Sequence, residues 1–325
     1  MPSTRRRFLQ LTAGAAALPG FTHIAQAEAY PSRAVRIIVG VPAGGSPDIQ
    51  ARIVAQWLTE RLGQPFIVEN RPGGGTNIAT EAVVRAPADG YTLLLLTAIN
   101  TWNASLYEKL NFNFIRDIAP VAGLNRQTFV MTVPPSLPAK TVPEFIAHAK
   151  ANPGKLNMAS AGNATAGHVA GELFKMMAGV DMVHVPYRGA PAAQVALIAG
   201  EAQVFFDPVP STIEQIKGGR LRALAVTSTA RAEALPDIPT MSEFLRGFEA
   251  NGWQGIGVPR NTPPEIVEKL NKEINTALAD PAMKAKIANI GASVFSTTPD
   301  EFARLIAADT EKWAKVVKFS GAKPD

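Results

Sequence analysis

The sequence predicts an α/β protein of two domains, and three observations support this fold class. The chain has 325 residues, and domains of ~100–200 residues are typical. Short β-branched runs alternate with helical patterns, as in sheets that are mostly parallel. A proline-rich stretch at 134–138 separates two such series. Each series is therefore expected to form a mostly parallel sheet flanked by helices.

The first series opens with a buried strand at 35–41, rich in Val and Ile. A loop of Pro, Gly and Ser follows it. Ser46 is expected to cap the next helix, with Pro47 as the first helical residue, and Gly63 ends that helix. The remaining elements are a strand at 66–70, a glycine loop at 72–75, a helix at 76–84 and a strand at 91–97.

The second series alternates in the same way after the proline-rich stretch. Its predicted helices cover 142–151, 165–177, 191–198 and 211–217, and its predicted strands cover 156–159, 182–185, 202–206 and 222–227. A return strand at 252–258 and helices at 264–278, 281–290 and 299–318 complete the chain.

The composition is that of a folded globular protein. Apolar residues make up 46% of the chain and charged residues 18%, which excludes a largely disordered chain. Three of the positive charges behind the net charge of +5 lie in a predicted leader. Without them the charge falls to about +2, which argues against a strongly basic nucleic-acid-binding domain.

The chain contains no cysteine. It can therefore form no disulfide, and it offers no thiolate ligand, no cysteine nucleophile and no residue for a lipid anchor. Beyond the leader, His148, His168 and His184 are scattered and lack HExxH spacing. A histidine metal site and a cofactor are not expected, whereas a carboxylate metal site stays open.

Residues 1–27 read as an export signal. Three arginines at 5–7 precede Phe8, an apolar run covers 11–18, and Ala25-Gln26-Ala27 matches the small-residue cleavage pattern. The arginines before Phe8 and Leu9 resemble a twin-arginine signal, and an ordinary secretory signal is the alternative. The apolar run is shorter than the ~20 residues that span a bilayer.

Loops that follow strands and precede helices are suited to anions. A helix start offers unpaired N–H groups and a partial positive charge, and glycine lets a ligand approach the backbone. The loops at 42–48, 72–77 and 160–165 share this arrangement. The first of these loops could equally be a tight turn with a good cap, and the second a flexible loop. No GxGxxG or GxxxxGK[ST] pattern is present, which disfavours a nucleotide site.

No catalytic set stands out. A GxSxG elbow is absent. His168 and Asp207 could be arranged with Ser160 as a triad on paper, but no spacing compels it.

Several stretches, in order, resemble the extracytoplasmic solute receptors of tripartite tricarboxylate transporters, the Bug family. These stretches are YPSR at 30–33, VGVPAGGSPDIQAR at 39–52, VENRPGGG at 68–75, HVAGELF at 168–174, VPYRG at 185–189 and LAVTS at 224–228. With their spacing they cover nearly all of the chain after the leader.

The resemblance implies a two-lobed periplasmic binding fold of the Venus-flytrap type. Lobe 1 would comprise residues 28–133 and 252–325, and lobe 2 residues 134–251. The implied function is capture of a small organic acid in an interlobe cleft and its delivery to the membrane permease subunits of such a transporter. The chain would be a periplasmic, soluble monomer without lipid anchor, enzyme activity or nucleic-acid partner.

The resemblance also implies the ligand-binding residues. They come from loops that face each other across the cleft: Gly44, Gly45, Ser46, Asp48, Asn77 and Thr97 from lobe 1, and Ser160, Gly162, Thr165, Tyr187 and Asp207 from lobe 2. The stretch at 100–103 departs from the small and apolar run that is usual in the family. Trp102 in it is expected to line the cleft and to favour an aromatic or bulky solute.

Two other functions stay open at this point. A secreted α/β hydrolase would need an activated nucleophile or a metal. A sensory partner that passes the liganded state to a membrane kinase would share the receptor fold, and the sequence does not separate it from a transport receptor.

Overall fold

The computed structural model describes residues 30–323 and arranges their strands in two sheets flanked by helices. The predicted export signal at 1–27 lies outside the described residues. Among residues 30–323, no helix has the length and the apolar character that a membrane crossing requires.

The strands and helices follow the predicted alternation, with several additions. The strands are β1 (Val35–Val39), β2 (Phe66–Asn70), β3 (Thr92–Thr97), β4 (Ile118–Gln127), β5 (Phe129–Val133), β6 (Asn157–Ser160), β7 (Val183–Pro186), β8 (Val204–Pro208), β9 (Arg222–Val226), β10 (Gly252–Pro259) and β11 (Ser293–Val294). The helices are α1 (Ser46–Leu62), α2 (Asn77–Val84), α3 (Ile99–Leu106), α4 (Phe114–Asp117), α5 (Val142–Ala151), α6 (Ala166–Ala178), α7 (Ala190–Ala199), α8 (Val209–Lys217), α9 (Pro264–Ala279), α10 (Pro281–Asn289) and α11 (Pro299–Ser320).

Both sheets are mixed. The first has the order β11-β4-β10-β3-β1-β2, in which β1 pairs in parallel with β2 and β3, and β10 runs antiparallel to β3 and β4. The second has the order β7-β6-β8-β5-β9, in which β6 pairs in parallel with β7 and β8, and β5 runs antiparallel to β8 and β9. The α/β class is confirmed, and antiparallel pairs enter where β5 and β10 carry the chain from one sheet to the other.

The first crossing between the sheets lies earlier than the sequence indicated. The predicted boundary follows residue 133, but β5 pairs with β8 and β9 of the second sheet. Since β4 ends at Gln127 and β5 starts at Phe129, the chain crosses at Thr128. β5 pairs with two strands of the second sheet and precedes the proline-rich stretch at 134–138. That stretch therefore follows the crossing and does not mark it.

The central strands of the first sheet are buried on both faces. Leu93 and Leu95 of β3 pack into one apolar cluster with α1 and α9, whereas Leu94 and Leu96 pack into another on the opposite face. Successive side chains of a strand point to opposite faces. A run of consecutive leucines is therefore what a strand covered by helices on both sides requires.

One apolar cluster joins the two sheets. It contains Trp102 of α3, Phe174 of α6 and Val316 of α11, all nearly fully buried. The rings of Trp102 and Trp313 meet edge to face with centroids 5.6 Å apart. The carboxyl-terminal helix α11 thus packs against α3 of the first-sheet part and α6 of the second-sheet part. The two sheets are joined on the side of the molecule where α11 lies.

Candidate ligand-binding site

The predicted site residues follow the carboxyl ends of parallel strands in both sheets. In the first sheet, β1, β2 and β3 end side by side, and the loops at 42–48 and 71–76 and the start of α3 follow them. In the second sheet, β6, β7 and β8 do the same. Ligands of open α/β sheets bind beyond such strand ends.

Asp48 holds the loop after β1 in place. Its Oδ2 accepts the Gly44 N–H at 2.9 Å and a bond from Arg52 at 3.0 Å, and its Oδ1 accepts from Asn70 Nδ2 at 2.9 Å. Burial would raise the pKa of Asp48, but the bonds from Arg52, Gly44 and Asn70 outweigh burial and lower it. The carboxylate is ionised and occupied, so its role here is to fix the loop.

The start of α1 differs by one residue from the prediction. Gly45 is the N-cap, and Ser46 is the first helical residue, with Pro47 next. The Gly45 backbone is extended, and no side chain among residues 30–323 caps the helix. Since the Ser46 hydroxyl is not needed as a cap, the helix start keeps both this hydroxyl and its backbone N–H groups available to a ligand.

The glycine loop after β2 packs tightly against the end of β1. A Cβ on Gly40 would lie 2.6 Å from Thr76 Cβ, so glycine is required at this close approach. Asn100 of α3 secures the loop from the other side: its Nδ2 donates to Thr76 Oγ1 and Thr80 Oγ1, both at 3.0 Å. Its Oδ1 accepts the Thr97 N–H at 2.8 Å. Thr97 therefore serves this buried network.

A second asparagine of α3 reaches the glycine loop. Asn103 Nδ2 donates to the Gly75 carbonyl and, at 2.9 Å, to Asn77 Oδ1. Asn77 Nδ2 is buried without a partner among the described residues. This amide is an unsatisfied, buried donor at the start of α2.

In the second sheet, Ser160 lies beneath its loop. Its Oγ is 2.6 Å from His184 Nε2, and it accepts the Gly162 N–H at 3.2 Å. Ser160 is fully buried. Thr165 is the N-cap of α6, where its Oγ1 accepts the His168 N–H at 3.4 Å and donates to the Gly162 carbonyl at 2.9 Å.

Asp207 is the buried residue before the last one of β8. Its Oδ2 accepts from Gln194 Nε2 at 2.5 Å, while Oδ1 has no partner among the described residues. Burial raises the pKa of Asp207 to about 6. Tyr187, after β7, donates its backbone N–H to the Ser160 carbonyl at 2.9 Å and packs its ring beside α7.

A cavity of about 300 Å³ lies between the two sheets. Its walls combine the glycine loop and α3 from the first sheet with the loop before α6 from the second; its lining residues are Gly74, Gly75, Ile99, Asn103, Leu106, Tyr107, Asn163, Ala164 and Thr165. The polar groups on these walls are backbone, amide and hydroxyl groups, and none of the walls carries a Lys or Arg side chain within residues 30–323.

Only some of the predicted ligand-binding residues lie at this cavity. Thr165 lines it, and Asn77 adjoins it through Gly75 and Asn103. The predicted residues of the loop after β1, together with Tyr187 and Asp207, are not on its walls in the part of the chain that the structure describes. Sequence reasoning singled out the glycine loop but missed Ile99 and Asn103, which only the fold of α3 brings to the cavity.

The expectation for Trp102 is wrong. Its side chain is 1% exposed and packs on Trp313 in the core between α3, α6 and α11. The face of α3 that lines the cavity carries Ile99 and Asn103 instead. Trp102 is one residue from Asn103, and neighbouring residues on a helix point in different directions.

The triad that could be drawn on paper is not formed. Ser160 contacts His184 instead of His168, and the Asp207 carboxylate contacts Gln194. Among residues 30–323, no three side chains of the His, Asp and Glu types come together as a metal site.

Comparison with known protein families identifies the family to which this chain belongs. The family described as "Tripartite tricarboxylate transporter family receptor" matches residues 50–321, most of the chain. The chain belongs to this family. It is therefore a solute-binding receptor and not an enzyme, and the resemblance noted in the sequence is confirmed.

Relatives of this receptor agree over nearly its whole length. Protein BugT of Bordetella pertussis is 36% identical over 310 residues, which cover 94% of this chain and 95% of BugT. Rpa4515 of R. palustris, solved with adipate, is 33% identical with a TM-score of 0.76, covering 91% of this chain and all of that one. MatC of Rhodopseudomonas palustris, solved with bound malate, is 29% identical with a TM-score of 0.73, covering 89% of this chain and all of that one.

Proposed function

We propose that this receptor captures a small organic acid in the cavity between its two sheets and delivers it to the membrane subunits of a tripartite tricarboxylate-type transporter. The observation that carries the proposal is the cavity itself, with walls from both sheets and of about 300 Å³. This volume is at the lower end of the range for small-molecule sites. The adipate and malate found in two relatives support the same ligand class.

The walls of the cavity suit a carboxylate without a basic side chain. Thr165 caps the N-terminus of α6, and Asn77 opens α2. Helix starts favour negative charge, and their unpaired N–H groups can donate to carboxylate oxygens. The buried Asn77 amide lies behind the first-sheet wall, bonded through its Oδ1 to Asn103, which lines the cavity.

The proposed ligand-binding residues divide into two groups by their contacts. Gly45, Ser46 and Asn77 lie at helix starts, where Ser46 adds a hydroxyl and Asn77 an amide without a partner among residues 30–323. Gly44 and Thr165 lie at the same kind of position, with the Gly44 N–H bonded to Asp48 and Thr165 Oγ1 bonded to the Gly162 carbonyl. Asp48, Thr97, Ser160 and Gly162 hold loops in place, and Tyr187 and Asp207 border the second-sheet side. We propose that closure of the lobes brings the loop after β1 to the ligand that the cavity holds.

The location and state of the receptor belong to the same proposal. Residues 1–27 would direct export to the periplasm by the twin-arginine route, and the mature chain would act there as a soluble monomer without a lipid anchor. Cell fractionation followed by size-exclusion chromatography with light scattering tests location and oligomeric state: the protein is expected in the periplasmic extract as a single species of monomer mass. Recovery in the cytoplasm or the membrane fraction, or a dimer, would contradict the proposal.

A thermal-shift screen of mono-, di- and tricarboxylates and aromatic acids tests the ligand class. Ligand at about 100 times its Kd stabilises the folded state by ~2.7 kcal/mol, which raises Tm by about 4 °C for a chain of this size. The fully methyl-esterified form of each active acid is the control, because it keeps the carbon skeleton but not the charge. If no acid raises Tm, or if acid and ester act alike, the proposal fails.

A further inference from the structure

Two histidines stack beneath the second-sheet loop of the proposed site. His168 belongs to α6 and His184 to β7, and their rings are parallel within 6°, with centroids 3.6 Å apart. His168 is 4% exposed. Neither ring lines the cavity among the residues that the structure describes, so neither is placed to touch the ligand.

Each histidine is tied to the loop at 160–165 by a hydrogen bond. The Ala164 N–H donates to His168 Nδ1 at 3.0 Å. His184 Nε2 lies 2.6 Å from Ser160 Oγ, and that oxygen accepts the Gly162 N–H at 3.2 Å. The pair thus reaches two backbone N–H groups of the loop, one directly and one through Ser160.

The contacts of His168 define which of its nitrogens carries the proton. Because Nδ1 accepts from Ala164, the ring proton is on Nε2. Nε2 faces Glu172 Oε1 at 3.7 Å, and that oxygen also accepts from Lys175 Nζ at 2.9 Å. Burial would raise the pKa of Glu172, but His168 and Lys175 outweigh it and keep the carboxylate ionised. An ionised acceptor at this place favours the tautomer that the loop needs.

The loop needs such support because its backbone is strained. Ala164 has a φ of +55°, in the left-handed region that residues with a side chain seldom occupy. Strained residues persist where the surroundings fix them, and such positions concentrate at binding sites. Ala164 also lines the cavity, next to the N-cap Thr165.

We propose that His168 and His184 are positioning residues of this receptor: the stacked pair holds the loop at 160–165 in the conformation that presents Ala164 and Thr165 to the ligand. The inference rests on the proposed function, because it takes this loop as one wall of the acid-binding cavity. The pair acts through the backbone of the loop, without contact to the ligand.

Two substitutions of His168 separate this role from general stability. In His168→Asn, the amide oxygen takes nearly the place of Nδ1 and can still accept the Ala164 N–H. In His168→Gln, the amide lies nearer the place of Nε2, and the bond to Ala164 is lost. The same change at His148, which lies on α5 outside the site, is the control.

Amide hydrogen exchange of the ligand-free protein is the first measurement. The Ala164 amide is expected to exchange roughly fivefold or more faster in His168→Gln, as befits one lost hydrogen bond. His168→Asn is expected to restore most of the protection, and His148→Gln is expected to show the exchange of the wild type. Equal exchange at Ala164 in the Asn and Gln variants overturns the inference, whether or not a ligand is known.

Calorimetric titration with the acid that raises Tm most is the second measurement. His168→Gln is expected to weaken binding roughly tenfold, and His168→Asn to recover most of the affinity. If the wild type binds no acid, the proposed function fails, while the exchange data still decide whether the pair holds the loop.

If both His168 variants unfold, Ser160→Ala tests the other bond. It should speed exchange at Gly162 and weaken acid binding in the folded protein. No change in either measurement contradicts the inference.

Discussion

Asp48 is a buried carboxylate whose hydrogen bonds hold the loop after β1 in place. It is 2% exposed and accepts bonds from the Gly44 N–H, Arg52 and Asn70. A buried carboxylate is tolerated only when its oxygens are bonded in this way. Its place in the glycine motif suggested a ligand contact, but its partners make it the anchor of the loop after β1.

Asp48→Asn keeps the shape of the side chain but removes its charge. Loss of charged hydrogen bonds should lower the free energy of unfolding by about 1–3 kcal/mol at pH 7, measured by urea denaturation. Because the folded pKa of Asp48 is lowered, its contribution is present above the ordinary Asp pKa and is lost as pH falls below it. The difference between variant and wild type should therefore shrink in acid.

Asp89→Asn is the control for Asp48→Asn. The Asp89 side chain is 40% exposed and pairs with Arg33 at 2.9 Å, and its Oδ1 accepts the Tyr91 N–H at 3.0 Å, a bond that the amide oxygen of Asn can still accept. Ion pairs as exposed as this one contribute at most about 1 kcal/mol. A cost for Asp89→Asn as large as that for Asp48→Asn would contradict the anchor role.

The contribution of Asp207 to stability is expected to depend on pH in the direction opposite to that of Asp48. Burial raises its pKa to about 6 from an ordinary value of 3.8. Between these values the folded state binds more protons than the unfolded state, so this group lowers stability as pH rises. Asp207→Asn should raise the free energy of unfolding at pH 8 by up to about 3 kcal/mol, from ~1.4 kcal/mol per pKa unit, and should change it little at pH 4. Urea denaturation at both pH values checks this, and equal pH slopes in variant and wild type would be the contrary result.

At the scale of elements, Asn100 connects the end of β3 to the glycine loop and α2. Its side chain bonds to the Thr97 N–H and to the hydroxyls of Thr76 and Thr80. Thr76 needs this support because its φ is +76°. The first-sheet wall of the cavity therefore depends on a side chain that does not line it.

Asn100→Ala should lower the free energy of unfolding by about 2–4 kcal/mol, because three buried groups lose a partner. It should also loosen the glycine loop, seen as faster amide exchange at 74–77. Asn111→Ala is the matched control, since Asn111 is exposed and its side chain bonds only to Glu81 among the described contacts. Equal losses in the two variants would show that Asn100 has no special role.

The same scale shows what could be predicted from the sequence. The strand, loop and helix at 35–62 were predicted because their apolar periodicity and punctuation are local. The strand β4 was missed, since Pro120 and Gly123 interrupt its apolar pattern. The contact of Ser160 with His184 and the place of β5 in the second sheet depend on pairing between distant segments, which local patterns do not encode.

At the scale of the whole molecule, the net positive charge does not come from residues that line the proposed ligand cavity. The net charge of +5 comes largely from residues 5–7, and no basic side chain lines the cavity among residues 30–323. Selectivity for an acid is therefore expected to come from helix starts and amides, with little attraction over long range. The apolar cluster with residues of α3, α6 and α11 joins the two sheets.

The most direct test of the account is calorimetric titration of one active acid into three proteins. They are the wild type, Ile99→Trp, which fills the cavity from α3, and Ile115→Trp, the same change at a residue that is 47% exposed outside the cavity. Binding between the sheets predicts the wild-type Kd for Ile115→Trp and a loss of about a hundredfold or more for Ile99→Trp. Wild-type affinity in folded Ile99→Trp would contradict the claim that the acid binds in this cavity.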